Sequence, residues 1–331
     1  NRLTTYFMNG LDRYPGCKRV CKKADKYIYR REHMSPDYQL QEGDIVMRDM
    51  VSGDVVNFNR QPSLLFSNIA CMNVVVMEDG DTLRINPSVC NYFKADFDGD
   101  QMNSIVHQCI QARNESMKIS PVSRWFISPQ DHSPLVGAFQ DGLIGLAEIT
   151  KDGLTFNKWH AMQLFKDITS DTIDMTFSKK SYTNRELVSR ILPKINMIGK
   201  KPSFYRPEYA SLLKYNANDI SVNIIRGVLK NGVLDSASAG QSARGSIFHT
   251  IANEYGNDHA LSCVFLLQQI VHTFFMYHGF TVGINDINIS ENAMKEVKRR
   301  IASMILESRR ITNRLNNGKL IAPLGTTLYE F

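Results

Sequence analysis

The chain has 331 residues, of which 43% are hydrophobic, and a formal net charge of +6. That is enough apolar chain for a buried core and two or three domains. No signal peptide and no apolar run of membrane length stand out, and of the six cysteines Cys17 and Cys21 lie close with no second pair nearby to complete a four-ligand zinc site, so all read as reduced intracellular thiols.

Residues 1–35 carry nine Lys/Arg against three acids, a solvated surface or a contact for a nucleic-acid backbone. Short alternating runs then predict strands at Lys26–Arg31, Asp44–Arg48, Asp54–Asn57, Met72–Met77 and Thr82–Ile85. Between them, Asn57 to Leu64 is a polar turn containing Pro62. Residues 103–120 are predicted helical, followed by helices at Gln140–Thr150 and Phe156–Ile168, with Asn157 as an N-cap. Residues 169–245 are mixed, ending in a strand over Gly227–Asp235 and a glycine-rich turn over Ser236–Gly245. A helix from Asp258 to His278, apolar on most faces and stopped by Gly279, is expected to be buried. The last helix starts near the cap residue Ser290 and ends at Asn317-Gly318, with a Lys/Arg-rich face that reads as solvated. His249, His259, His272 and His278 have no metal-like grouping and read as structural.

The most informative segment is Asp96-Phe97-Asp98-Gly99-Asp100-Gln101-Met102-Asn103. Carboxylates at spacing two are oxygen ligands suited to a hard divalent cation. In an extended strand Asp96 and Asp100 would lie roughly 13 Å apart, too far to share an ion. The backbone must therefore curl, and Gly99 is the residue that permits it. An acidic surface turn competes with this reading. An EF-hand loop does not, because its sixth and twelfth positions would be Gln101 and His107 instead of Gly and Glu. Phe97 and Met102 make the segment a poor fit to full exposure.

Asn59-Arg60-Gln61-Pro62 followed by Ala95-Asp96-Phe97-Asp98-Gly99-Asp100 resembles the active centre of the largest subunit of multisubunit DNA-directed RNA polymerases, archaeal/eukaryotic type. Tyr14-Pro15-Gly16-Cys17-Lys18 looks like the family's HPGAK-type segment, and Ser128-Pro129-Gln130 with Gly137 to Asp141 looks like the stretch that follows its catalytic loop. Order and spacing agree over most of the chain. Lys94 stands where the family usually has asparagine, Gln101 where it usually has glutamate, and Leu65-Phe66 where it often has His-Lys. This drift suggests a large DNA virus.

The resemblance implies an α+β fold: a double-psi β-barrel region over 1–150, a mixed pore domain over 151–284 and the start of a funnel domain of long helices over 285–331. It implies template-directed ribonucleotide addition by two-metal phosphoryl transfer. Asp96, Asp98 and Asp100 would be the catalytic residues and hold Mg²⁺, with a second ion arriving with the nucleoside triphosphate. Arg60, Gln61, Pro62 and Lys94 would bind nucleotide, and Lys18, Arg19, Lys22 and Lys23 nucleic acid. The implied partners are the second-largest subunit and other polymerase subunits, the DNA template, the RNA product, and a cleavage factor entering through pore or funnel; no membrane and no zinc are expected. The first residue is Asn, so the chain is expected to be part of a longer polypeptide that works in a cytoplasmic viral factory, a virion or the nucleus. The alternatives are an RNA-templated polymerase of the same barrel superfamily, and a catalytically inactive structural paralogue.

Overall fold

The computed structural model describes residues 2–169, 173–207, 215–319 and 324–325. It divides into two units, Asn1–Tyr277 and His278–Phe331.

The first unit begins with α1 (Arg2–Asn9) and a sheet ordered β2 (Ile28–Arg30), β1 (Cys17–Cys21), β3 (Ile45–Arg48), all antiparallel. Cys17 and Val20 both face inward although three residues apart, because the β1–β3 register shifts between Cys17 and Arg19. They pack with Phe7 and Met34 in a small core. Arg48 clamps the next turn by a bidentate pair to Asp54, with Nη1 and Nη2 each 2.7 Å from a carboxylate oxygen. That guanidinium holds the Asp54 carboxyl below the usual range, assisted by the Val51 N–H. A group depressed in this way stabilises the fold above its unfolded pKa of about 3.9 and loses that contribution as pH falls through the lower folded value. Asp54→Asn is therefore expected to cost about 1–2 kcal/mol at neutral pH, discounted for partial exposure. Thermal melts should show the deficit narrowing below about pH 4. An equal deficit at pH 2.5 and pH 7 would contradict the ionic account.

Next come β4 (Val55–Asn59), β5 (Ile69–Asn73), α2 (Cys90–Phe93), β6 (Asn103–Val106) and α3 (Ile110–Ile119). The sheet order is β5-β4-β6, antiparallel throughout. Phe58, Ala70, Tyr92, Phe93, Ala95 and Leu135 form its core, with Phe58 and Phe93 edge to face at 5.5 Å.

The largest core is built by α4 (Asp141–Thr150), β7 (Thr155–Asn157), α5 (Lys158–Leu164), β8 (Ser181–Thr183), α6 (Asn184–Ser189), β9 (Met197–Lys200), β10 (Val222–Ile225), β11 (Val228–Asn231), α7 (Ser236–Ala239), α8 (Ile247–Tyr255) and α9 (Asn257–His278). Buried Arg185 on α6 ties it to neighbouring loops, pairing with Asp219 at 2.7 Å and Asp152 at 3.2 Å. The second unit holds α10 (Ile284–Ile287) and α11 (Glu291–Asn316). The Ser290 hydroxyl caps α11 by accepting from the Ala293 N–H, and no residue of this helix is buried.

The fold is mixed α+β with small sheets. Among the described residues no sheet exceeds three strands and none closes into a barrel. Several expectations are corrected. Residues 103–106 form β6, not the start of a helix, because pairing with β4 outweighs their helical spacing. Thr82–Ile85 is irregular, β5 lies at 69–73 instead of 72–77, and β1 was not foreseen. Ser236–Ala239 is a short helix capped by Asp235 within the expected turn. Among the described residues one helix, α9, is long and apolar enough to cross a membrane by length and composition. It serves as core: Val264, Leu267, Ile270, Val271 and Phe274 are buried, while Phe265 is exposed.

Candidate metal and nucleotide site

Sheet register builds this site. β4 ends at Asn59 and β6 begins at Asn103, and these two residues are partners across the ladder. The Arg60-Gln61-Pro62 loop therefore leaves the sheet beside the point where the acidic loop enters it. Arg60 closes the gap, with Nε 2.6 Å from Asp100 Oδ2 and Nη2 donating to Asp100 Oδ1 at 2.9 Å. This bidentate fork fixes the carboxylate plane. The Asp96 N–H donates to Asp100 Oδ2 at 3.0 Å, so the loop turns back on itself. Gly99 sits at φ +118° with open space where a Cβ would be. The curl expected from the spacing is thus present.

One oxygen each from Asp96, Asp98 and Asp100 lies within 4.8 Å of the others. Ligands on one octahedral Mg²⁺ at about 2.1 Å lie about 3.0 Å apart when adjacent and about 4.2 Å when opposite, so a closure of no more than about 2 Å would let all three share an ion. The donors are hard oxygens, and the residues fit a divalent cation. The electrostatics agree. The Asp96 carboxyl is raised above the usual range, first by its hydrogen bond with Asp98 and then by desolvation and the neighbouring negative charges. Asp100 is lowered, first by Arg60 and then by the Asp96 N–H. Crowded carboxylates of this kind are relieved by a cation.

A cavity of about 860 Å³ opens on the loop, lined by Asp96, Phe97, Asp100, Met102, Phe58 and Arg84 among others. Phe97 is 59% exposed. The expectation that it would resist exposure fails, because it lines this open cavity instead of a core.

The other candidates divide. Arg60 joins the triad. Gln61 and Pro62 follow it in the same loop, exposed and joined by a cis peptide bond. Lys94 ends α2 in the left-handed region at φ +53°, and its Nζ donates to Asn91 Oδ1 at 3.1 Å instead of reaching the carboxylates. Of the basic residues, Lys18 and Arg19 lie on β1 of a different sheet, and Lys22 and Lys23 follow it. Lys18 is 3.7 Å from Asp49, Lys22 lies over the rings of Tyr29 and Tyr38, and exposed Arg19 stands directly across from Arg30. Arg84 was missed; its only signal was a cation inside a run taken as a strand.

The left-handed site at Lys94 favours asparagine over lysine. Lys94→Asn is expected to raise stability by up to about 1 kcal/mol, since the exposed ammonium contact contributes little. A lower unfolding midpoint in the variant would contradict this.

Two family models match the chain: RNA polymerase Rpb1, domain 2, over residues 1–122, and RNA polymerase Rpb1, domain 3, over residues 125–287. The DNA-directed RNA polymerase RPB1 homolog of African swine fever virus (isolate Pig/Kenya/KEN-50/1950) is 38% identical across the whole of this chain, and that of strain Badajoz 1971 Vero-adapted is also 38% identical. DNA-directed RNA polymerase subunit Rpo1N of Methanothermobacter thermautotrophicus is 29% identical, again across the whole chain. The chain spans 24% of the length of the viral relatives and 38% of the archaeal one.

Proposed function

The chain belongs to the RNA polymerase Rpb1 family, and from that premise we propose that it carries the catalytic core of the largest subunit of a DNA-directed RNA polymerase. The observation that carries this reading is the convergence of three carboxylate oxygens within 4.8 Å on a loop latched to Arg60. Asp96, Asp98 and Asp100 would hold Mg²⁺. Bound there, with a second ion brought by the nucleoside triphosphate, the metal would supply activation of the RNA 3′-hydroxyl and charge neutralisation at the transferred phosphoryl group.

The residues of the chain have separable tasks. Arg60 holds both oxygens of Asp100 and so fixes the orientation of one ligand. Asp96, whose carboxyl is raised by its neighbours, is the ligand whose charge a cation would relieve most. Arg60, Gln61 and Pro62 border the incoming nucleotide in this reading, and Lys94, where the family's asparagine would meet the ribose, a phosphate or the RNA backbone. Replacing Lys94 by asparagine should therefore change discrimination between ribo- and deoxyribonucleotides, and unchanged discrimination would remove Lys94 from the site. Lys18, Arg19, Lys22 and Lys23 form the nucleic-acid surface. Of these, Arg19 is exposed and faces Arg30, a like-charge pair that an anion would relieve.

The proposal extends to a double-psi β-barrel over 1–150 containing the β5-β4-β6 sheet, a pore domain over 151–284 and the start of a funnel over 285–331. The partners are the second-largest and other polymerase subunits, DNA, RNA and a factor that enters through pore or funnel, all inside the cell. The test is Mg²⁺-dependent extension of an RNA primer by the assembled enzyme, offered a DNA template and an RNA template of the same sequence. Extension on DNA is expected. Extension on RNA alone, or on neither, would overturn the reading.

A further inference from the structure

We propose that Arg84 is a phosphate-binding residue of the cavity that holds the carboxylate triad. This rests on the polymerase reading, which puts a polyanionic substrate in that cavity. Among the described residues lining the cavity, Arg84 is the one cation, set in a wall that also carries Asp81, Asp96 and Asp100. Metal ions on the triad would neutralise the phosphoryl group they touch, whereas phosphates farther along the substrate would face this acidic wall and be favoured by a positive side chain in it.

An exposed arginine is ordinarily just solvated. Arg84 differs in two respects. First, Glu78, Asp79 and Asp81 are its neighbours in sequence, yet none lies within ion-pair distance of it, and no ion pair of Arg84 is found among the described residues. Its guanidinium lies instead against Gly80, where an added Cβ would come within 3.2 Å of a terminal nitrogen. A five-donor planar fork is thereby left free for an oxyanion.

Second, the backbone that carries it is anchored. Ile85 packs against the core of Phe58 and Tyr92. The Asn86 side chain accepts from the Ser88 N–H at 2.9 Å, and Gln241 Nε2 donates to the Ser88 carbonyl at 2.9 Å. Residues 82–85 also form the wall shared with a second cavity of about 330 Å³, lined by Val56, Met72, Val74 and Met77 among others. Arg84 thus projects from a partition tied to the core at its C-terminal end.

The shared ligand chemistry is phosphate, either the triphosphate of the nucleotide or the phosphodiester backbone of the RNA. The experiment separates them. Arg84→Ala and Arg84→Lys would be assembled into the complete enzyme, with melting temperature as the control for folding. The KM for nucleotide, kcat and the Kd for an RNA–DNA scaffold would be measured across a salt series. A nucleotide KM raised about tenfold, with the loss larger in KM than in kcat, assigns Arg84 to the triphosphate. A scaffold Kd raised about tenfold, with a salt slope shallower by roughly one ion, assigns it to the backbone. In either case Arg84→Lys should recover part of the loss, since it keeps the charge without the fork. KM and Kd both unchanged in folded Arg84→Ala would overturn the proposal. Failure of the polymerase reading shows separately, as no extension of the primer on a DNA template by the wild-type enzyme.

Discussion

Simultaneous replacement of Asp96, Asp98 and Asp100 by alanine is expected to lower RNA primer extension by the assembled enzyme by roughly a thousandfold or more. The expectation follows from geometry: three hard oxygen donors lie within 4.8 Å, and among the described residues no other group of three or more His, Cys, Asp or Glu is so placed. Direct metal binding, read by Mn²⁺ titration, should fall in parallel, and subunit assembly should not. For Asp98 taken alone, stability should not fall. Asp96 and Asp98 are exposed, and Asp98 helps to raise the Asp96 carboxyl above its usual pKa. A carboxyl raised on folding destabilises the native state as pH rises through its titration. Asp98→Ala should thus melt no lower than wild type at neutral pH, the behaviour of a site strained for function. Equal extension by wild type and triple variant would end the metal assignment. A collapse in melting temperature would mean that the loop is a structural element.

The second large effect lies away from the site. Gly145 faces α9 from α4, and a Cβ built on it falls 2.2 Å from Val271 Cγ1 and 3.0 Å from Phe275. Val271 is β-branched and has one strongly preferred rotamer in a helix, so it cannot swing aside at little cost. Gly145→Ala should destabilise by about 1–3 kcal/mol from overpacking, a loss partly masked by alanine's better helix propensity of about 1 kcal/mol. Gly145→Leu should block folding of the first unit. The distinguishing result is the double variant Gly145→Ala/Val271→Ala. Its urea midpoint should exceed the value expected if the two single losses added, because the second change removes the methyl that the first one strikes. Simple additivity would place the cost elsewhere.

Features governed by neighbouring residues were legible in the sequence. Ser290 and Asn157 cap their helices as their chemistry predicts, each accepting from a backbone N–H three residues on. The helix from 258 to 278 is recovered at α9 to within a residue. The curl of the acidic loop also followed from local chain geometry, because an extended strand could not bring its carboxylates together. The family resemblance, too, could be read from short motifs in order. Strands were less legible: Asn103–Val106 has helical spacing but is a strand, and Thr82–Ile85 alternates but is not.

The residue types, their order and the local turns that curl the metal loop were thus determined by sequence alone, since each depends on contacts within a few residues. What the tertiary structure decided is the partner of each group. Arg60 meets Asp100 across 40 residues only because Asn59 pairs with Asn103. Arg84 enters the same cavity only because Ile85 packs on the core beside it. Such register and packing come from hydrophobic and ladder contacts spread over the whole sheet, which no window of sequence contains.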